Sequence, residues 1–197
     1  MRRFTDSRLV LASHNRGKLA EIAAVLAPAG VELIGAGALN LPQPEETGAT
    51  CRDNAILKAR AAVAASGLPA LADDTGLEVF ALGGWPGVIT AEIGGPQRDH
   101  ELAMRRILEK LAGNPDTAAR FVTVLALCWP DGHVETAEGE VRGRLVHPGR
   151  GQGGWGYDPY FLPEGETRVF AEMAPGEKNA VSHRARAVQA LYRKCFA

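Results

Sequence analysis

Apolar and polar positions alternate in short blocks through the first half of the chain and in longer ones through the second. Leu9-Val10-Leu11-Ala12 is a continuous apolar run, which suits a strand of a parallel sheet covered on both faces. Leu19, Ile22, Ala23, Val25 and Leu26 follow near helical spacing, and Pro28 and Gly30 end that helix. Residues 31–34 form a second short strand, and residues 35–48 a loop holding Pro42, Pro44 and the acidic pair Glu45-Glu46. Thr50 and Asp53 resemble a capping box, with Ile56, Ala59 and Val63 marking the helix behind it, down to Ser66-Gly67. Ala70-Leu71-Ala72 is a strand that leads into a polar turn, Asp73-Asp74-Thr75-Gly76, and residues 77–82 continue as strand or short helix.

Helical spacing returns over residues 98–111 through Leu102, Arg105, Leu108 and Leu111. Residues 118–129 are the longest strand candidate. Residues 134–146 alternate as its antiparallel partner across the turn Pro130-Asp131-Gly132-His133. Five glycines in residues 149–156 mark a loop. A last helix runs from about Lys178 to Cys195, with Val181, Ala185, Val188, Tyr192 and Cys195 on one face. No repeat or linker interrupts this order. It predicts an α/β fold with a mixed sheet flanked by helices and two lobes around a cleft, all within one domain over residues 1–197.

Composition narrows the function classes. A chain of 197 residues, 46% apolar and 23% charged, can bury a core without disulfides or metals. A formal net charge of −1 gives no global electrostatic case for a nucleic-acid or membrane partner, so basic character must be local. Cys51, Cys128 and Cys195 lack zinc-site spacing and read as inert thiols of a reducing compartment. No apolar stretch approaches the roughly twenty residues of a membrane span, and residues 9–12 are too short for a signal core. Cytoplasmic residence is the expectation.

Four segments could carry chemistry. Ser13-His14-Asn15-Arg16-Gly17-Lys18 joins a strand end to a helix start, where free N–H groups, the positive dipole end and the Lys18 ammonium suit an anion. A plain Asn-capped helix start is the alternative. The segment matches neither a Walker A loop nor the dinucleotide glycine pattern. Asp73 and Asp74 are adjacent carboxylates that repel unless a cation or hydrogen bond intervenes, and a divalent metal is the simplest resolution. A polar turn is the alternative here, and an exposed acidic loop for Glu45 and Glu46. Around Trp155, the glycines let backbone approach a flat ligand while the ring stacks on it, and Asp158 before Pro159 could accept from a base or ribose. An ordinary glycine-rich loop is the other reading. Lys178, Ser182, His183 and Arg184 fall within about a turn and a half of the last helix, a donor set for an oxo group or phosphate, or else a solvated basic face. His14, His100, His133 and His147 have no partner pattern and read as surface residues.

Six pieces in order resemble the inosine triphosphate pyrophosphatase family. They are residues 11–18, Glu45-Glu46-Thr47-Gly48, Asn54-Ala55-Ile56-Leu57-Lys58-Ala59, Ala72-Asp73-Asp74-Thr75-Gly76-Leu77, residues 153–159, and Lys178 with Ser182-His183-Arg184. The resemblance implies hydrolysis of non-canonical purine nucleoside triphosphates (ITP, dITP, XTP) to monophosphate and pyrophosphate. It also implies an elongated mixed sheet with two lobes, Mg²⁺ as cofactor and a homodimer. By the same resemblance, Ser13, His14, Asn15, Arg16, Gly17 and Lys18 hold the triphosphate. Asp74 is metal ligand and general base, Thr75 contacts substrate, and Glu46 and Asp73 support the metal. Trp155, Gly156, Tyr157 and Asp158 bind base and ribose, and Lys178, His183 and Arg184 complete the purine pocket.

Two departures from the family pattern stand out. Ile89-Thr90-Ala91-Glu92-Ile93 puts Glu92 where an Arg is usual, and Trp155 replaces the more frequent Phe. A carboxylate with a pKa of about 4 is a weak base, so Asp74 needs a metal-acidified water or a raised pKa. Two other classes remain: a modified-pyrimidine pyrophosphatase of the septum-formation inhibitor type, and a nucleotide-binding regulator without catalysis.

Overall fold

The structure is a computed structural model that describes all 197 residues. Seven strands form one sheet: β1 (Arg8–Leu11), β2 (Glu32–Gly35), β3 (Ala70–Val79), β4 (Pro86–Gly87), β5 (Ala118–Cys128), β6 (Val134–Leu145) and β7 (Phe161–Pro163). Their order is β2-β1-β3-β5-β6-β7, with β4 paired to β3. β1 runs parallel to β2 and to β3, while β4 on β3 and β7 on β6 are antiparallel. Five helices accompany it: α1 (Arg16–Leu26), α2 (Cys51–Ser66), α3 (His100–Leu111), α4 (Pro175–Val181) and α5 (His183–Cys195). No helix is long and apolar enough to cross a membrane.

Helix starts follow the side-chain chemistry. Asn15, Thr50 and Asp99 each cap a helix by accepting a first-turn backbone N–H. The expected single C-terminal helix is instead two. Ser182 is extended (ψ 153°), which ends α4 and separates Lys178 from His183 and Arg184. The Asp73-Asp74-Thr75-Gly76 segment is not a turn either; all four residues lie inside β3, which continues to Val79. Residues 80–82 then close it as a 3₁₀ turn.

The chain divides into two compact units. The first comprises residues 1–74, 123–139 and 183–197. Its core joins Leu9, Leu11, Leu71, Leu125 and Leu127 to α1 and α5 through Ile22, Leu26, Val188 and Leu191. Val10 and Ala70, on the other face of the same strands, pack with Ala62 of α2. Gly139 lets α5 lie directly on β6, since a Cβ there would collide with the His183 carbonyl and the Ala187 amide. The second unit comprises residues 75–122 and 140–182. Its own core gathers Leu77, Val79, Met104, Ile107, Phe121, Phe161 and Phe170.

Candidate active site

The alternation of side chains along β3 decides the chemistry of the first unit. Leu71 faces α1 and α5 and Ala70 faces α2, so Asp73 and Asp74 must point to opposite faces. Asp73 meets Lys18 Nζ of α1 at 2.9 Å and Arg184 Nε of α5 at 3.4 Å. Asp74 Oδ1 meets Lys58 Nζ of α2 at 2.8 Å. The mutual repulsion expected of adjacent carboxylates is thus relieved by geometry and by three separate cations. Asp73, expected to support a metal beside Asp74, is turned away from it. Burial alone would raise the Asp73 pKa, but Lys18, Arg184 and Lys58 outweigh it and hold the group well below the usual carboxylate range.

Lys58 also reaches Glu46 Oε1 at 3.2 Å, so one buried ammonium is shared by two carboxylates. Burial would lower the Lys58 pKa, yet Asp74, Asp73 and Glu46 together raise it. Glu46 is pushed up, chiefly by burial and further by the Asp74 charge, with Lys58 opposing. Asp74 Oδ2 is buried and has no hydrogen-bond partner. An acceptor in that state bears an uncompensated desolvation cost. Two carboxylates with an unused oxygen fit a hard divalent cation that takes its other ligands from water and phosphate. The protein does not complete such a site alone: no group of three or more His, Cys, Asp or Glu side chains is assembled.

The Ser13–Lys18 segment forms the start of α1. Asn15 Oδ1 accepts the Lys18 N–H at 3.1 Å, and Ser13 Oγ accepts the Asn15 N–H at 3.2 Å. Ser13, Gly17 and Lys18 are partly buried, while His14 and Arg16 are exposed. Arg184 is 2% exposed and is bound by Glu21 as well as Asp73. His183 is buried beside it in α5.

In the second unit, Trp155, Gly156, Tyr157 and Asp158 form a tight loop. Asp158 Oδ2 accepts from Lys178 Nζ at 2.6 Å and from the Trp155 N–H at 2.9 Å. Gly154 (φ +70°) runs so close to the Asp158 carboxylate that a Cβ would collide with it. The Lys178 ammonium lies 5.3 Å from the Trp155 ring and 5.6 Å from that of Phe170, within cation–π range. Tyr157 is buried, and burial raises its phenol pKa. The His100 ring meets that of Tyr157 edge-on at 5.1 Å. His100 is therefore not the surface residue expected from sequence, and burial lowers its pKa. His133 and His147 also have partners, Glu135 and Glu101. Thr75 is half-buried within β3. Glu92 is exposed.

Sequence reasoning missed two residues that shape this site. Lys58 lies in the buried stripe of α2 with Asn54, Ala55, Ala59 and Ala62, and a lysine at a core position of a helix was the available signal. Glu21 lies one turn after Lys18, an i, i+3 carboxylate that marks the same face of α1.

The fold and the site together define an α/β protein with buried carboxylates and lysines next to a helix start suited to phosphate. The Ham1 family profile matches residues 9–194, and the chain belongs to that family. It is 54% identical over 190 residues to the dITP/XTP pyrophosphatase of Gluconobacter oxydans (strain 621H), covering 96% of this chain and 91% of that protein. It is 53% identical over 199 residues to the dITP/XTP pyrophosphatase of Rhodospirillum centenum (strain ATCC 51521 / SW), covering 100% and 98%. Among solved structures, a HAM1 protein from Coxiella burnetii matches with a TM-score of 0.87 and 38% identity, covering 96% of this chain and 98% of that one.

Proposed function

We propose that this chain hydrolyses non-canonical purine nucleoside triphosphates, ITP, dITP and XTP, to the monophosphate and pyrophosphate, with Mg²⁺ as cofactor. Relatives named dITP/XTP pyrophosphatase, more than 50% identical over nearly the whole chain, support the substrate class. The observation that carries the chemistry is the buried, unpartnered Oδ2 of Asp74 beside Glu46 and Lys58.

Asp74 and Glu46 would hold the metal, which when bound supplies charge neutralisation at the triphosphate and acidifies water. Lys58 fixes Asp74 through Oδ1, leaving Oδ2 to accept the proton of the attacking water. The start of α1 with Lys18 grips the phosphates, and Asp73 holds the Lys18 ammonium in place. Thr75 contacts substrate. Trp155 stacks on the base, inside a loop made rigid by the Asp158–Lys178 pair. His183 and Arg184 recognise the purine 6-oxo group. Adenine presents an amino group there, and a buried unpaired donor costs about 1–3 kcal/mol, roughly 5- to 150-fold in discrimination. The working form is a cytoplasmic homodimer.

The test is pyrophosphate release from ITP, XTP, ATP and 5-methyl-UTP, with and without Mg²⁺. The proposal requires metal-dependent turnover with ITP and XTP far ahead of ATP and 5-methyl-UTP. Equal rates on ATP and ITP overturn the base assignment. A preference for 5-methyl-UTP makes it a pyrimidine enzyme, and no release from any triphosphate makes it a binding protein.

A further inference from the structure

Thr90 lies in the segment that departs from the family pattern, yet it is among the most heavily bonded residues of the second unit. It is 6% exposed. Its hydroxyl accepts the Leu77 N–H of β3 at 2.7 Å and donates to the Gly87 carbonyl of β4 at 2.5 Å. Its own carbonyl accepts the Tyr157 hydroxyl at 3.1 Å. One residue is therefore pinned through its side chain to the strand that carries Thr75 and Gly76, and through its backbone to the loop that carries Trp155 and Asp158.

Neither bond is a generic feature of a turn. The Leu77 N–H is buried, and the Thr90 hydroxyl oxygen accepts it. The Tyr157 ring is fixed by the His100 edge at 5.1 Å and by Phe121 at 6.1 Å, so its hydroxyl can relay a displacement of Thr90 into the loop. Glu92, two residues on, is exposed.

We propose that Thr90 is a positioning residue for base recognition, setting the Trp155–Asp158 loop in register with β3 through the Tyr157 hydroxyl. This rests on the reading that residues 155–158 bind the base. Tyr157 then serves as an anchor post of that loop, and Trp155 as the face the base meets.

The test uses the full-length protein and the variants T90S, T90V, Y157F and T90V/Y157F, with kcat and KM measured for ITP and ATP. T90V is expected to raise KM for ITP about tenfold with kcat changed less than about threefold, and to lower the ITP:ATP ratio of kcat/KM about tenfold. T90S keeps the hydroxyl and is expected to keep both parameters within about twofold of the parent. Y157F is expected to act in the same direction as T90V, and the double variant to be no worse than the worse single one, because both cut one link. Should T90V fail to fold, Y157F and T90S still decide the matter. An unchanged ITP:ATP ratio in Y157F, or singles whose effects multiply in the double, overturns the proposal. An unmodified protein without ITP preference instead overturns the base-binding reading on which it rests.

Discussion

Asp74 and Asp158 are both buried aspartates that meet a buried lysine, at 2.8 Å and 2.6 Å, yet they end in different electrostatic states. Lys58 is divided between Asp74 and Glu46, and Asp74 retains an oxygen with no partner. Asp158 takes both Lys178 and the Trp155 N–H on one oxygen, and Lys178 is roofed by two aromatic rings. The first arrangement has more acid than base, which is what the proposed metal would balance. The second pairs one carboxylate with one ammonium and ties the Trp155 backbone to them, a frame for the loop. Low dielectric strengthens both pairs, but only the first leaves desolvation uncompensated, and that is where binding of a cation returns most energy.

The most severe way to test this contrast is Asp74→Asn. The change keeps shape while removing the charge and the proton acceptor. The proposed role of Asp74 as general base and metal ligand requires turnover to fall by at least about 10³-fold. Thermal stability should stay near that of the parent, because Lys58 keeps Glu46 as a partner. Near-full turnover with unchanged Mg²⁺ dependence would remove Asp74 from the chemistry.

Lys178→Met breaks the opposite kind of pair. Asp158 stays buried and still accepts the Trp155 N–H, and stripping one partner from a buried ion pair costs about 3 kcal/mol. On the proposed base-binding role of the loop, KM for ITP should rise about tenfold while kcat falls less, since such binding is present in ground and transition state alike. A loss confined to kcat would show that Lys178 belongs with the acidic cluster in function and would erase the distinction between the two pairs.

The sequence carried the local part of this picture well. The runs at residues 9–12 and 118–129 and the caps at Asn15 and Thr50 correspond to elements of the fold because each is set by near neighbours. The errors arose where tertiary partners decide. Asp73-Asp74-Thr75-Gly76 has the composition of a turn, but pairing with β1 and β4 on either side of it draws the segment into one strand. That continuity puts the two carboxylates on opposite faces, which no spacing rule reveals without knowing that the strand continues. The break at Ser182 was hidden for a related reason. Residues 178–195 keep helical periodicity through it, although ψ of 153° ends the hydrogen-bond ladder. Lys58 was overlooked because a lysine in an alanine-rich helix usually points to water, and the carboxylates that draw it inward, Glu46 and Asp74, are 12 and 16 residues away.

A third carboxylate sharpens the comparison with the smallest expected effect. Glu135, 6% exposed in the first unit, gathers several partners: Lys194 Nζ at 2.6 Å, His133 Nε2 at 2.9 Å and the Met1 ammonium at 3.2 Å. Burial would raise its pKa, but Lys194, His133 and the amino group outweigh it and bring it down to about 2, from an ordinary 4.5. A group whose pKa is lower in the folded chain stabilises the fold above its unfolded pKa, and that contribution is lost as pH falls from about 4.5 towards 2. Lys194 and His133 are each about one third exposed, so screening limits the contribution to about 1 kcal/mol. Glu135→Gln should therefore lower stability by about that much at pH 7, with the gap to the parent closing below pH 4 and the ITP:ATP ratio unmoved. Acid or thermal unfolding followed across pH 2–8 measures it. Glu135 has Lys194 and the amino group to itself, whereas Asp74 shares one ammonium with Glu46, so the two should separate cleanly into a stability effect and a rate effect. A rate loss in Glu135→Gln approaching that of Asp74→Asn would mean that the number of cationic partners does not distinguish a structural carboxylate from a reactive one in this fold.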